Sequence, residues 1–223
     1  MSATHPYAPL LAEGAKVLGL SLSSAQADAL HAYLSELTTW NQRLNLTSIR
    51  DPELMVRHHL IDCISVVPLL RPEGNLLDVG SGAGLPGIPI SIMCPDKIVT
   101  LLEPRRKRAN FLRHVSRTLR LTNIRVLESR IQSLTPDGTT LTDETIARAF
   151  IDNEGFLHMS ARLLRPQGTC FLMHGPKGVE FLATAKQWLA EIGLSPLPPK
   201  HFRLPFGDEE RTVLLFTKLD SDP

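Results

Sequence analysis

The sequence predicts an α/β fold: a parallel sheet with helices on both faces, an antiparallel hairpin at its C-terminal end and a helical extension before it. Three observations predict it. Short apolar runs alternate with amphipathic stretches after Gly74, one run opens directly into a glycine-rich turn, and the last two strand-like runs are parted by a short polar turn. Such alternation builds βαβ units, whose crossover helices return the chain to the same end of the sheet. With 43% hydrophobic and 21% charged residues over 223 positions, the chain can bury a large core, and disorder is excluded as its main state. The expected division is a helical extension over residues 1–72 packed on an α/β domain over 73–223.

In the extension, Ser24 is placed to cap a helix carrying Leu30, Tyr33, Leu34, Leu37 and Trp40 at helical spacing. Asp51-Pro52-Glu53 reads as an N-cap followed by proline in the first turn. The helix after it carries Leu54, Met55, Leu60, Ile61, Ile64 and Val67, and ends near Pro68 or Pro72. Beyond Gly74, strands are expected at 76–79, 98–102, 124–127, 145–149 and 169–173. Helices are expected at 107–119 and 179–189. Residues 202–206 and 211–218 read as a closing hairpin around Gly207-Asp-Glu-Glu.

Composition narrows the function. No apolar run reaches the ~20 residues that span a bilayer, and Met1–Pro6 shows no basic segment followed by an apolar one. Cys63, Cys94 and Cys170 lack metal-ligand spacing and read as reduced thiols. The expectation is a cytoplasmic protein without membrane or metal. Net charge is only +1, but residues 104–130 hold nine of the 24 Lys and Arg and one acid, Glu128. That field attracts phosphate, or else belongs to a solvated face balanced by acids folded nearby.

Chemistry concentrates in Leu76-Leu-Asp78-Val-Gly80-Ser-Gly82-Ala-Gly84-Leu85-Pro-Gly87. A strand ending in Asp78 runs into glycines at alternate positions, where a ligand can lie against bare main chain at the carboxyl end of a parallel strand. Such a turn also serves as a plain strand-to-helix connection. The nicotinamide fingerprint requires a further glycine where Leu85 stands, so it fits poorly. Asp-x-Gly-x-Gly-x-Gly resembles the loop of Rossmann-like S-adenosylmethionine-dependent methyltransferases. Glu103, 19 residues after Gly84, ends the next strand. A carboxylate there suits both ribose hydroxyls because it only accepts hydrogen bonds, or it serves as a helix N-cap. After the third strand, Gln132 offers an amide oxygen to the edge of an adenine.

Several motifs stand together in order: Trp40-Asn41, Asn45-Leu-Thr-Ser48, Arg57-His58-x-x-x-Asp62, the glycine loop continued as Gly84-Leu-Pro-Gly-Ile-Pro89, Lys107-Arg108-x-x-Phe111-Leu112 and Arg148-Ala-Phe150. They resemble the bacterial 16S ribosomal RNA guanine-N7 methyltransferase family, RsmG, also called glucose-inhibited division protein B. The resemblance covers about residues 37–132 and 146–150. It implies methyl transfer from S-adenosyl-L-methionine to N7 of a guanine in the 530 loop, with 16S ribosomal RNA or the 30S subunit as partner. Carried over, the family's cofactor contacts fall on Gly80, Leu85, Ile131-Gln132 and Arg148, beside Asp78, Gly82, Gly84 and Glu103 of the loop reading. The chain departs from the family's pattern at Gln132, at Ala147 and Ile151-Asp-Asn153 around the Arg148-Ala-Phe150 motif, and at His174.

The expected chemistry needs no catalytic base, because guanine N7 carries a free in-plane lone pair; catalysis then rests on alignment. No catalytic residue is assigned. RNA contacts are expected from a stripe of Arg106, Arg113, Arg117 and Arg120, opposite a core-facing stripe of Phe111, Leu112, Val115 and Leu119. Lys107 and Arg108 are expected nearer the cofactor. His174 and Lys177 either present cations to RNA or close a strand-end loop. His58, His59 and Asp62 lack a third metal ligand and read instead as a helix hydrogen-bonded to its surroundings.

Overall fold

The computed structural model describes residues 6–136, 141–149, 152–176, 178–207 and 209–220. Helices α1 (Ala8–Val17) and α2 (Ser24–Leu44) lead into a broken helix: α3 (Pro52–Met55), a π-helical segment (Val56–Ile61) and α4 (Asp62–Ile64). The sheet domain runs β1 (Gly74–Val79), α5 (Gly87–Met93), β2 (Lys97–Leu102), α6 (Arg106–Thr118), β3 (Ile124–Leu127), β4 (Thr142–Arg148), α7 (Asn153–Leu163), β5 (Leu164–His174), α8 (Gly178–Ala185), β6 (Leu194–Arg203) and β7 (Glu210–Lys218). The strands form one sheet in the order β3-β2-β1-β4-β5-β7-β6. β1 to β5 pair parallel; β7 runs antiparallel to both β5 and β6. The chain reverses between β3 and β4, on either side of β1 and β2, and such switch points open a crevice at the strands' carboxyl ends.

The expected helix cap moves by one residue. Ser23, not Ser24, is the N-cap of α2, because its hydroxyl accepts from the Gln26 N–H while the Gln26 side chain accepts from the Ser23 N–H. Asp51 caps α3 as expected, its carboxylate accepting from the Leu54 N–H at 2.9 Å. The hairpin differs more. Its first strand is β6, beginning at Leu194 rather than near Phe202, with a register shift between Leu197 and Lys200. Pro196, Pro198 and Pro199 hide that strand from a sequence reading. They are tolerated because β6 lies at the sheet's edge and because Pro198 and Pro199 fall within the register shift, outside the paired ladder.

Two apolar clusters sandwich the sheet. On one face α1, α2 and the broken helix share a single core with α5, α6 and the strands, through Leu30, Leu34, Leu60, Ile88, Phe111 and Val213 among others. On the other face α7 and α8 supply Phe156, Leu157 and Leu182 against Leu77, Leu172 and Leu214. Trp40 of α2 lies 5.6 Å from the Phe111 ring and 4.9 Å from the His114 ring of α6. No helix among the described residues is long and apolar enough to cross a membrane.

Candidate active site

The glycine turn after β1 is stitched to the end of β2. Gly80, Gly82 and Gly84 all have positive φ (71°, 55° and 91°), which side chains rarely adopt. The N–H groups of Gly80 and Ser81 donate to the Leu102 carbonyl at 2.9 and 3.1 Å. Asp78 stands behind this turn. It is 1% exposed, and its Oδ2 accepts from the Gly87 N–H at 3.0 Å, while Oδ1 has no partner among the described residues. Burial pushes its carboxyl up to about 7. A Cβ on Gly87 would overlap Leu101 and lie 2.6 Å from Asp78 Oδ2, so strand and helix meet here only through glycine.

A pocket of about 380 Å³ opens in front of the turn, lined by Gly80, Glu103, Arg108, Ile131, Gln132 and Arg148 among others. Glu103 is 3% exposed; its Oε2 accepts from the Gly82 N–H at 3.0 Å and its Oε1 from the Arg105 N–H at 2.8 Å. Each oxygen keeps a second lone pair. Of the residues read as cofactor contacts, Gly80, Glu103, Ile131, Gln132 and Arg148 meet around this pocket. Asp78, Gly84 and Leu85 do not line it: Leu85 belongs to the core, and a Cβ on Gly84 would strike Ile88. Gly82 is likewise off the wall, and a Cβ there meets nothing closer than 3.7 Å. Its part is the N–H it gives Glu103. The lining also takes in Ala149 and Asp152, which the sequence reading missed because only the fold brings the end of β4 to the loop after β3. A larger hollow of about 530 Å³, lined by Leu77, Ile98, Thr100 and Arg125 among others, contains none of the glycine turn.

Arg148, at the carboxyl end of β4, is held from the helical extension. Its Nε and an Nη reach Asp62 Oδ2 at 3.0 and 2.8 Å, and that Nη also donates to the His58 carbonyl at 2.7 Å. The other oxygen of Asp62 accepts from Arg211 Nε of β7 at 2.9 Å. Asp62 therefore faces two guanidiniums. The neighbouring His59 ring is neutral: burial, then the Arg148 charge, lower its pKa to about 4. Its Nδ1 faces the His58 carbonyl at 3.0 Å, an acceptor only, so Nδ1 carries the hydrogen. Nε2 then accepts from the Thr47 hydroxyl at 2.7 Å, and Asn41 Oδ1 accepts from the Thr47 N–H at 2.9 Å. Tyr33 completes the contact by donating its hydroxyl to the Ala83 carbonyl inside the glycine turn at 2.8 Å.

Residues 26–196 match the family model GidB, described as rRNA small subunit methyltransferase G. The chain belongs to the GidB family. It is 39% identical over 202 residues to ribosomal RNA small subunit methyltransferase G of Syntrophotalea carbinolica, covering 90% of this chain and 93% of that protein. It is 40% identical over 180 residues to the protein of the same name from Pseudomonas aeruginosa, covering 81% of this chain and 83% of that one. Among solved structures, M. jannaschii TYW2 in complex with AdoMet aligns with a TM-score of 0.57 at 13% identity, over 72% of this chain and 74% of that one. P. horikoshii TYW2 in complex with MeSAdo aligns with a TM-score of 0.59 at 13% identity, over 73% and 63%. These likenesses show the fold.

As a GidB-family methyltransferase the protein uses S-adenosylmethionine, and the pocket fits it. Bare main chain at Gly80, a buried carboxylate with free lone pairs at Glu103 and a guanidinium at Arg148 are donors and acceptors for a nucleoside bearing an amino-acid tail. The residues of α6 and of the turn after it divide into three groups. Phe111, Leu112 and Val115 are buried as expected. Arg108 lines the pocket while Lys107 and Arg106 are exposed. Arg113 is tied to Glu128 and Asn110, both at 3.0 Å, and with Arg117 and Arg120 borders a hollow against β3. His174, at the end of β5, stacks on Phe181 of α8, and burial lowers its pKa. Lys177 lies outside the described residues.

Proposed function

We propose that this chain transfers the methyl group of S-adenosylmethionine to N7 of a guanine in the 530 loop of 16S ribosomal RNA, in the cytoplasm, on the RNA or the 30S subunit. The observation that carries the reading is the pocket at the carboxyl ends of β1, β2 and β4, where residues of separate family motifs converge. Gly80 lies along the cofactor, Glu103 accepts from its ribose hydroxyls, and Ile131 and Gln132 face its adenine. Arg148 holds the methionine carboxylate. The division into an extension over 1–72 and a methyltransferase domain over 73–223 belongs to the same proposal. In it the extension braces the pocket from behind, through Asp62 on Arg148 and Tyr33 on the glycine turn.

The bound cofactor supplies a sulfonium methyl, an electrophile that an N7 lone pair can attack without prior deprotonation. The protein's contribution is then alignment of nucleophile and methyl. Because guanine gains positive charge on methylation, an unpaired cation beside N7 would oppose the reaction. Arg148, committed to Asp62 and to an anion, avoids that cost. Exposed Arg106, Lys107, Arg117 and Arg120 take RNA phosphates. Mapping N7-methylguanine in 16S RNA from cells with and without the gene tests the proposal. A 530-loop guanine that stays methylated when the gene is absent overturns it.

A further inference from the structure

The Asp62 carboxylate bridges two arginines that stand two strands apart in the sheet, since β5 lies between β4 and β7. That gap is ~10 Å. Arg148 faces the pocket; Arg211 does not line it. Asp62 itself is 2% exposed. Alone, an Asp62–Arg148 pair would be neutral, and it would present an incoming carboxylate with little net attraction. Arg211 reverses the balance. Two guanidiniums on one carboxylate leave one positive charge, and the π-helical segment fixes its direction by aiming the His58 carbonyl at Arg148.

We propose that Arg211 is a positioning residue for methyl transfer: bound to Asp62, it leaves Arg148 with a surplus charge that anchors the carboxylate of the methyl donor. The inference rests on the reading of Arg148 given above. Arg211 touches no ligand and works through a shared carboxylate. Its effect is therefore confined to ligands that carry the amino-acid tail.

Calorimetry on the full chain with two ligands tests this. S-adenosylhomocysteine carries the tail; 5′-methylthioadenosine keeps the adenosine and sulfur without it. Arg211→Gln is expected to weaken the first about tenfold and the second less than twofold, since a unit charge near 10 Å in a half-buried site acts at that strength. Arg211→Lys, which restores the charge, is expected to recover most of the affinity. Should Arg211→Gln not fold, Arg211→Met carries the same expectation. Equal weakening for both ligands, no weakening for either, or no recovery with lysine overturns the proposal. Arg148→Gln, measured alongside, separates the two readings. If it discriminates between the ligands and Arg211→Gln does not, only this inference fails; if it does not discriminate, the placement of the carboxylate on Arg148 fails with it.

Discussion

At Gly87 the absence of a side chain is enforced from two directions, by Leu101 of β2 and by the Asp78 carboxylate. Gly87→Ala is expected to cost roughly 1–3 kcal/mol, the usual penalty for forcing atoms into a packed interior. Gly82 differs. Its φ of 55° is strained for other residues, but the space beside it is open. Gly82→Ala is expected to cost only about 1 kcal/mol, and denaturant unfolding of the two variants should rank them in that order. Asp78 gives a pH signature. Its carboxyl rises from 3.8 to about 7 on folding, so the folded state holds a proton that the unfolded chain has released. Relative stability from this group is full below pH 4 and is lost as pH rises through 7, by roughly 4 kcal/mol in all. Asp78→Asn keeps the acceptor for Gly87 and should flatten that decline in melting temperature. His59 acts in the opposite sense: its pKa falls from 6.5 to about 4, so its contribution is present above 6.5 and is lost on acidification through 4.

Helix α6 joins two surfaces. Its apolar stripe packs against α2, where Trp40 meets Phe111, and against β3, and its basic residues reach both the pocket and the solvent. A stripe of arginines at helical spacing suggests one continuous RNA face, yet Arg113 is already engaged by Glu128. Such an exposed pair is worth little to stability, but it holds that guanidinium away from a phosphate. Arg117→Gln with Arg120→Gln is therefore expected to lower the salt slope of 30S binding by roughly 0.7–0.9 for each phosphate no longer neutralised. Arg113→Gln should lower it less. Equal slopes for wild type and double variant would make this stretch a solvated face. The π-helical segment Val56–Ile61 shows the other use of an element. By breaking the regular ladder it frees the His58 carbonyl for Arg148 and His59.

Across the whole molecule, the helical extension and the sheet are joined by polar contacts as well as by core. Tyr33 reaches the glycine turn, Gln26 donates to the carbonyls of Ile92 and Met93 at 3.4 and 3.2 Å, and Asp62 ties the broken helix to β4 and β7. Asp62→Ala leaves two largely buried guanidiniums without their carboxylate, which should cost about 3–5 kcal/mol. Tyr33→Phe removes one buried hydrogen bond and should cost about 1–2 kcal/mol. Chemical unfolding measures both, and a destabilisation by Asp62→Ala no larger than that by Tyr33→Phe would mean that the ion cluster does not hold the extension in place.

The sequence by itself determined the strands β1 to β5 to within a few residues, the glycine turn, the caps of α2 and α3 to within one residue, and the family. Those features rest on neighbours in the chain: alternation, helical spacing, and glycines at fixed intervals. Proline concealed β6, because only its edge position and the register shift between Leu197 and Lys200 make three prolines harmless there. Only the tertiary structure decided that Asp78 and Leu85 stand behind the turn, that Gly82 serves Glu103, and that Asp62 reaches Arg211 across 149 residues of sequence. Spacing along a chain reports which face of an element a side chain occupies. Which charge it meets, and how dry that meeting is, depends on segments that only folding brings together, and here those segments decide how the pocket receives an anion.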